Sequence, residues 1–139
     1  VSIFSRIKDL MGNKVDTFDG TEDLEKMVEQ NLQDLNRELG KVKAELASVL
    51  ADEQRLKREL IECQEGIEKM ERYSVKSLDE GNEGDARTFQ ERKSVLAEKL
   101  SDLQAAIQFA SSKSEQLKPI HDQLIANIKE LESIKRSGF

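Results

Sequence analysis

VEQNLQDLNRELGKVKAELASVLADEQRLKRELIECQEGIEKM, residues 28–70, and FQERKSVLAEKLSDLQAAIQFASSKSEQLKPIHDQLIANIKEL, residues 89–131, decide the fold. In the first stretch a seam falls at 28, 32, 35, 39, 42, 46, 49, 53, 56, 60, 63, 67 and 70. In the second it falls at 89, 93, 96, 100, 103, 107, 110, 114, 117, 121, 124, 128 and 131. The steps alternate four and three without a slip, and two unbroken heptad runs of this length signal a coiled coil.

Between the runs, Asp79-Glu80-Gly81-Asn82-Glu83-Gly84-Asp85 is a turn cluster. A loop this short makes the two helices antiparallel neighbours. A fold centred near Gly81 and Asn82 pairs positions whose numbers add to 163. Seam residues 32–70 then meet seam residues 93–131 in twelve layers, eight of them apolar on both sides, such as Leu32/Leu131, Leu39/Leu124 and Leu60/Leu103. The weaker layers Val42/His121, Val49/Ser114 and Glu53/Ala110 lie together, and Pro119 stands beside them at an outward position. An interior Pro costs ~3 kcal/mol in a helix. A kink or hinge over 110–121 follows, with Ala110, Ser114, Pro119 and His121 as its residues.

The expected fold is all-α: a long antiparallel coiled-coil helical hairpin preceded by an N-terminal amphipathic helix. Its pieces are an amphipathic helix over 1–18, a linker at 19–21, a first hairpin helix over 22–78, a turn at 79–85, a second helix over 86–136 and a tail at 137–139. Thr21 can cap the first long helix, and Glu22 and Asp23 suit its N-terminal dipole. Lys135 and Arg136 suit the last turn of the second.

Composition agrees. The 139 residues are 36% charged and 4% aromatic, with 37% apolar residues and no Trp. Few aromatic and β-branched residues argue against a sandwich or a parallel sheet. A net charge of −6 without a basic stripe argues against nucleic acid as the main ligand. The single Cys forms no intramolecular disulfide. No apolar run approaches 18 residues, so no transmembrane helix is expected, and the charged N-terminus does not read as a signal peptide. A cytosolic home is the default.

VSIFSRIKDLMGNKVDTF, residues 1–18, carries Ile3, Phe4, Ile7, Leu10, Met11, Val15 and Phe18 at helical spacing. Arg6, Lys8 and Lys14 lie on the other face with two acids, a balance of +1, so the other 121 residues carry −7. The stripe packs on the hairpin, or it forms an interface. Its terminal position and its basic polar face favour the interface, with an anionic lipid surface as the target.

Chemistry-bearing residues are sparse. A lone His121 lacks the ligand count of a metal site. Cys63 sits in the seam, away from the electropositive, accessible setting of a reactive thiol. Glu53 and Lys93 are seam charges too far apart to pair with each other in this register. They reach toward water, or they set register or pair between neighbouring hairpins. A calcium loop starting at Asp79 would have Gly81 at its third place and Gln90 at its twelfth, the wrong ligands. No catalytic constellation, cofactor site or metal site is read.

Several stretches resemble a known family. Ser2-Ile3-Phe4-Ser5-Arg6-Ile7 resembles the opening of the phage shock protein A family, which includes the vesicle-inducing protein of plastids and belongs to the wider ESCRT-III superfamily. Glu22 to Met27 resembles the start of its long first hairpin helix, although Leu24 stands where the family often has Pro. Gly81-Asn82-Glu83-Gly84-Asp85-Ala86-Arg87 resembles its hairpin tip. Phe89-Gln90-Glu91-Arg92-Lys93 with Leu96 and Leu100 resembles the start of its return helix. The resemblance is close over residues 1–110 and looser beyond. Family members usually continue with further helices that lock neighbouring subunits together.

The resemblance implies a non-enzymatic bacterial membrane-maintenance protein, peripheral on the inner face of the cytoplasmic membrane. It would form a homo-oligomer or polymer through outward residues such as Ile61 and Val95. It would insert residues Ile3, Phe4, Arg6, Ile7, Lys8, Leu10, Met11, Lys14, Val15 and Phe18 into an anionic phospholipid membrane. Some family members also restrain an AAA+ transcription activator. Two alternatives stay open: a soluble adaptor hairpin that regulates a protein partner, and a coiled-coil spacer of the prefoldin type, for which residues 72–89 show little of the required strand pattern.

Overall fold

Two helices, α1 (Thr21–Asp79, 59 residues) and α2 (Glu83–Arg136, 54 residues), dominate the residues described by the computed structural model, 21–137. Among these residues there is no strand. The amphipathic stretch 1–18 lies outside them.

The connection is tighter than residue chemistry alone suggests: 80–82 replaces the expected turn of 79–85. The helices accordingly begin at 21 and 83 rather than 22 and 86, and α1 ends at 79 rather than 78. The reason is that one residue serves both helix ends. Gly81 takes a φ of 78°, the left-handed region that glycine enters without steric cost. Its N–H donates to Leu78 O at 3.0 Å and that of Asn82 to Ser77 O at 2.8 Å, a Schellman motif that satisfies the last carbonyls of α1. Asn82 then caps α2. Its Oδ1 accepts from the Asp85 backbone N–H at 3.1 Å, and its Nδ2 donates to Asp85 Oδ2 at 2.7 Å.

The described residues divide into two compact units. The first joins residues 21–47 to 115–137. Val28 (1% exposed) and Leu131 (0%) form its centre, with Leu24, Leu32, Leu35 and Ile134 packed around them. Val42, Leu117, Leu124 and Ile128 are also buried. Lys135 Nζ lies 2.8 Å from Glu29 Oε1. In this unit Val28 meets Leu131 and Glu29 meets Lys135.

The Lys135 hydrogen bond, and then its charge, hold the Glu29 carboxyl below its ordinary value of 4.5. Glu29 in turn raises Lys135 above 10.5. A lowered carboxylate contributes stability above its unfolded pKa and loses it as pH falls through the folded value. A raised lysine contributes below its unfolded pKa and loses it as pH rises through the folded value. The pair therefore acts between the two ranges. Glu29→Gln is expected to lower the melting temperature slightly at neutral pH, the gap closing as pH falls below 4.5. Parallel thermal melts by circular dichroism across pH check this.

The second unit, residues 48–114, contains the turn and forms a helical hairpin. Val49, Cys63, Leu103 and Ala110 are buried in it. Its cross-helix contacts join Tyr73 to Phe89, Ser74 to Ala86 and Gln90, Glu71 to Lys93, and Cys63 to Leu96. Their residue numbers add to values from 159 to 164, around the expected 163. Gly66 faces Leu96 closely: a Cβ there would stand 3.2 Å from Leu96 Cδ1.

None of the seam positions read from the heptads is exposed. The seam also runs further toward the turn than the heptad positions read from the sequence, through Ser74 (2% exposed), Ser77 (8%) and Ala86 (4%). The layers that look weak in sequence are well shielded too, with Val42, Val49, Ala110 and Ser114 all buried. Ser114 needs no partner across the seam, because its Oγ donates to Ser111 O at 2.9 Å on its own helix.

Candidate interaction surfaces

α2 runs through Pro119 without interruption. The residues expected to form a hinge take these places: Ala110 and Ser114 are buried, Pro119 is exposed, and His121 is half-buried. His121 Nδ1 lies 3.1 Å from Asp122 Oδ1, its neighbour in sequence. Cys63 is buried, and its Sγ donates to Leu96 O at 3.1 Å. Among the described residues no group of three or more His, Cys, Asp or Glu is placed to hold a metal ion. The ten residues expected to touch lipid, from Ile3 to Phe18, lie outside the described residues.

Both seam charges, expected to reach toward water, to set register or to pair between neighbouring hairpins, have partners inside the chain. Lys93 Nζ lies 2.8 Å from Glu71 Oε2, and Glu53 takes Lys57 of its own helix at 3.3 Å. Glu71 stands one position past the seam residue Met70, so a seam-only register overlooks it.

The Lys93 pair belongs to a chain of hydrogen bonds near the turn. Gln90 Nε2 donates to Glu71 Oε2 at 3.1 Å and to the Ser74 hydroxyl at 2.9 Å. Ser74 Oγ donates to Ala86 O at 3.2 Å. The Lys93 and Gln90 hydrogen bonds, followed by the Lys93 charge, hold the Glu71 carboxyl below its ordinary value. Ser74 is the buried member of this chain, and its hydroxyl finds both of its partners on the opposite helix, which helps specify one register.

On the other flank of the hairpin unit the rings of Tyr73 and Phe89 meet edge-on, with centroids 5.3 Å apart. Lys69 Nζ lies 5.7 Å from the Tyr73 centroid, and Arg92 Cζ lies 5.8 Å from that of Phe89. Such contacts contribute ~0.5–1.5 kcal/mol for the aromatic pair and ~0.5–1 kcal/mol for each exposed cation. Beside them a shallow groove is lined by Met70, Thr88, Glu91, Arg92, Val95 and Leu96.

Ile61 and Val95, singled out as outward apolar residues, are 54% and 66% exposed. Sequence reasoning missed Phe109, at 73% the most exposed large apolar residue among those described, together with Val75 and Leu78. A signal was present. Val75 stands two heptads from Ile61 and Phe109 two heptads from Val95, so each pair repeats at one off-seam position.

Among the described residues no helix is long and apolar enough to cross a membrane. A family model described as the PspA/IM30 family matches residues 2–137. The chain is 51% identical over 136 residues to a phage shock protein A homolog of Bacillus subtilis, a match covering 97% of this chain and 60% of the relative. It is 29% identical over 136 residues to the membrane-associated protein Vipp1 of Nostoc punctiforme, covering 97% and 53%. It is 28% identical over 130 residues to the chloroplastic membrane-associated protein VIPP1 of Oryza sativa, covering 94% and 38%. The chain thus spans about 40–60% of the length of these relatives.

Proposed function

The chain belongs to the PspA/IM30 family, and from that membership we propose a non-enzymatic, self-assembling, ESCRT-III-like protein that stabilises or remodels the bacterial inner membrane under stress. The names of two relatives as membrane-associated proteins support this reading. The observation that carries it is the apolar stripe of residues 3–18, inside the stretch that the family model matches.

The mechanism has three steps. Hairpins associate side by side through outward apolar residues such as Ile61 and Val95. The assembly presents many copies of residues 2–18 to the cytoplasmic leaflet. Ile3, Phe4, Ile7, Leu10, Met11, Val15 and Phe18 enter the acyl boundary, while Arg6, Lys8 and Lys14 stay among anionic headgroups. A single short helix with so small a net charge binds weakly. Display on a polymer raises its effective concentration and makes the contact strong.

Flotation with anionic liposomes tests the reading. The whole chain is expected to float, and a version lacking residues 1–18 to stay at the bottom. If neither floats at low salt, the lipid reading fails for this chain. If both float, the lipid contact lies on the hairpin instead.

A second reading draws on the exposed Tyr73, Val75 and Leu78 near the turn. It makes the hairpin an adaptor that holds a protein partner, such as an AAA+ transcription activator. It predicts a small defined complex and no flotation.

A further inference from the structure

We propose that Lys93, Gln90, Glu71 and Ser74 are the register lock of the hairpin unit, and that without it α2 slides by one heptad along α1 into a second register that the apolar seam accepts as readily as the first.

The seam alone does not choose between the two. In the resident register, where paired numbers add to 163, four of the seven layers from Val49 to Met70 are apolar on both sides, those at Leu56, Leu60, Cys63 and Ile67. With α2 moved one heptad away from the turn, paired numbers add to 156 and five of the seven layers are apolar, those at Val49, Leu56, Leu60, Ile67 and Met70. Over the seam positions 28–46 the two registers tie, at four layers of six. The slide also carries Phe89, half-buried against Tyr73, from the level of Ser74 to that of Ile67. The centre of the turn moves by only three and a half residues, to Leu78. A heptad repeat does not sense such a slip, because every seam residue meets another seam residue.

The polar groups near the turn do sense it. Lys93 Nζ lies 2.8 Å from Glu71 Oε2, and Gln90 Nε2 donates to Glu71 at 3.1 Å and to Ser74 at 2.9 Å. Seven residues earlier on α1 the places of Glu71 and Ser74 are taken by Gln64 and Ile67. After the slide Lys93 would stand level with the buried Cys63, beside an uncharged Gln64, and Gln90 would face an aliphatic side chain. A seam lysine without its carboxylate must bury an unpaired charge or force the helices apart. A polar group that is satisfied in one register and unsatisfied in the next fixes the register of a coiled coil. The opposite slide is closed as well, since it draws Gly81, with its φ of 78°, into a helix. The lock thereby keeps the exposed Tyr73, Val75 and Leu78 on the last turns of α1, which a turn centred at Leu78 would unwind.

Intramolecular cross-linking of the full chain tests this, in a Cys63→Ala background that leaves Gly81 in place. Gln64→Cys with Ala97→Cys reports the resident register, because these exposed positions lie one heptad further from the turn than Glu71 and Gln90. Lys57→Cys with Ala97→Cys, also exposed, reports the slipped one. The probe is a bis-maleimide shorter than the ~10 Å rise of one heptad, and the readout is linked monomer on a denaturing gel. Without further change the first pair is expected to link and the second is not. Adding Lys93→Met and Ser74→Ala is expected to shift the ratio of the two products by about tenfold or more toward the second pair, with helical circular dichroism retained. Lys93→Arg, which keeps the charge, is expected to leave the resident pattern intact. An unaltered ratio after Lys93→Met and Ser74→Ala would overturn the proposal. So would a chain in which neither pair links, because the four residues would then hold the hairpin closed rather than choose its register.

Discussion

Leu131→Ala is expected to lower the unfolding free energy by about 3 kcal/mol, read as a shift in urea midpoint by circular dichroism. Leu131 is 0% exposed and shares its cluster with Val28, Leu24, Leu32, Leu35 and Ile134. Truncation removes the transfer energy of the lost methyl groups and leaves a cavity that side chains from two helix segments must close. Nothing covalent holds the segments together in this unit, unlike the hairpin unit with its turn. Amide protection at 24–35 and 128–135 is therefore expected to fall before that at 60–100. A loss below about 1 kcal/mol would mean that the cluster collapses freely around the gap. Gln104→Ala, on an exposed side chain, serves as the near-neutral control.

Pro119→Ala is expected to act in the opposite direction, raising stability by up to ~3 kcal/mol. α2 is continuous through this position, where a Pro has no N–H to offer the carbonyl of Glu115 four residues earlier. The site is exposed, so water solvates that carbonyl and an Ala side chain meets no packing constraint. The proposed hinge over Ala110, Ser114, Pro119 and His121 turns on this residue. With Ala in place, amide exchange over 116–122 is expected to slow together with the rise in stability. Unchanged stability and exchange would leave the hinge without a physical basis.

Both predictions trace back to how much of the molecule is readable along the chain. Phe109 is a different matter: its heptad spacing from Val95 is visible in the sequence, but the groove beside Val95 is not. The stripe of residues 3–18 is legible as an amphipathic face, and its engagement with lipid is a matter for flotation.

By itself the sequence determined the periodic facts. The alternation of three and four makes each helix bury one seam, and every seam residue is shielded. Apolar identity repeats along a single helix, so this pattern needs no knowledge of the partner. The short loop then sets direction and register to within a few residues, because an antiparallel return permits one offset.

Tertiary structure decided everything that depends on the separation of two helices at a given level. Ser74 and Ser77 are buried although polar, because the opposite helix covers them near the turn. Lys93 meets Glu71 rather than solvent, because a residue beside the seam comes within reach only once both helices are in place. Asn82 closes one helix and opens the next, a double role that becomes visible when Gly81 takes its left-handed φ. Periodicity is a property of one chain segment, whereas burial of polar flanks, pairing of charges and sharing of caps are distances between two segments, and those exist only in the folded molecule.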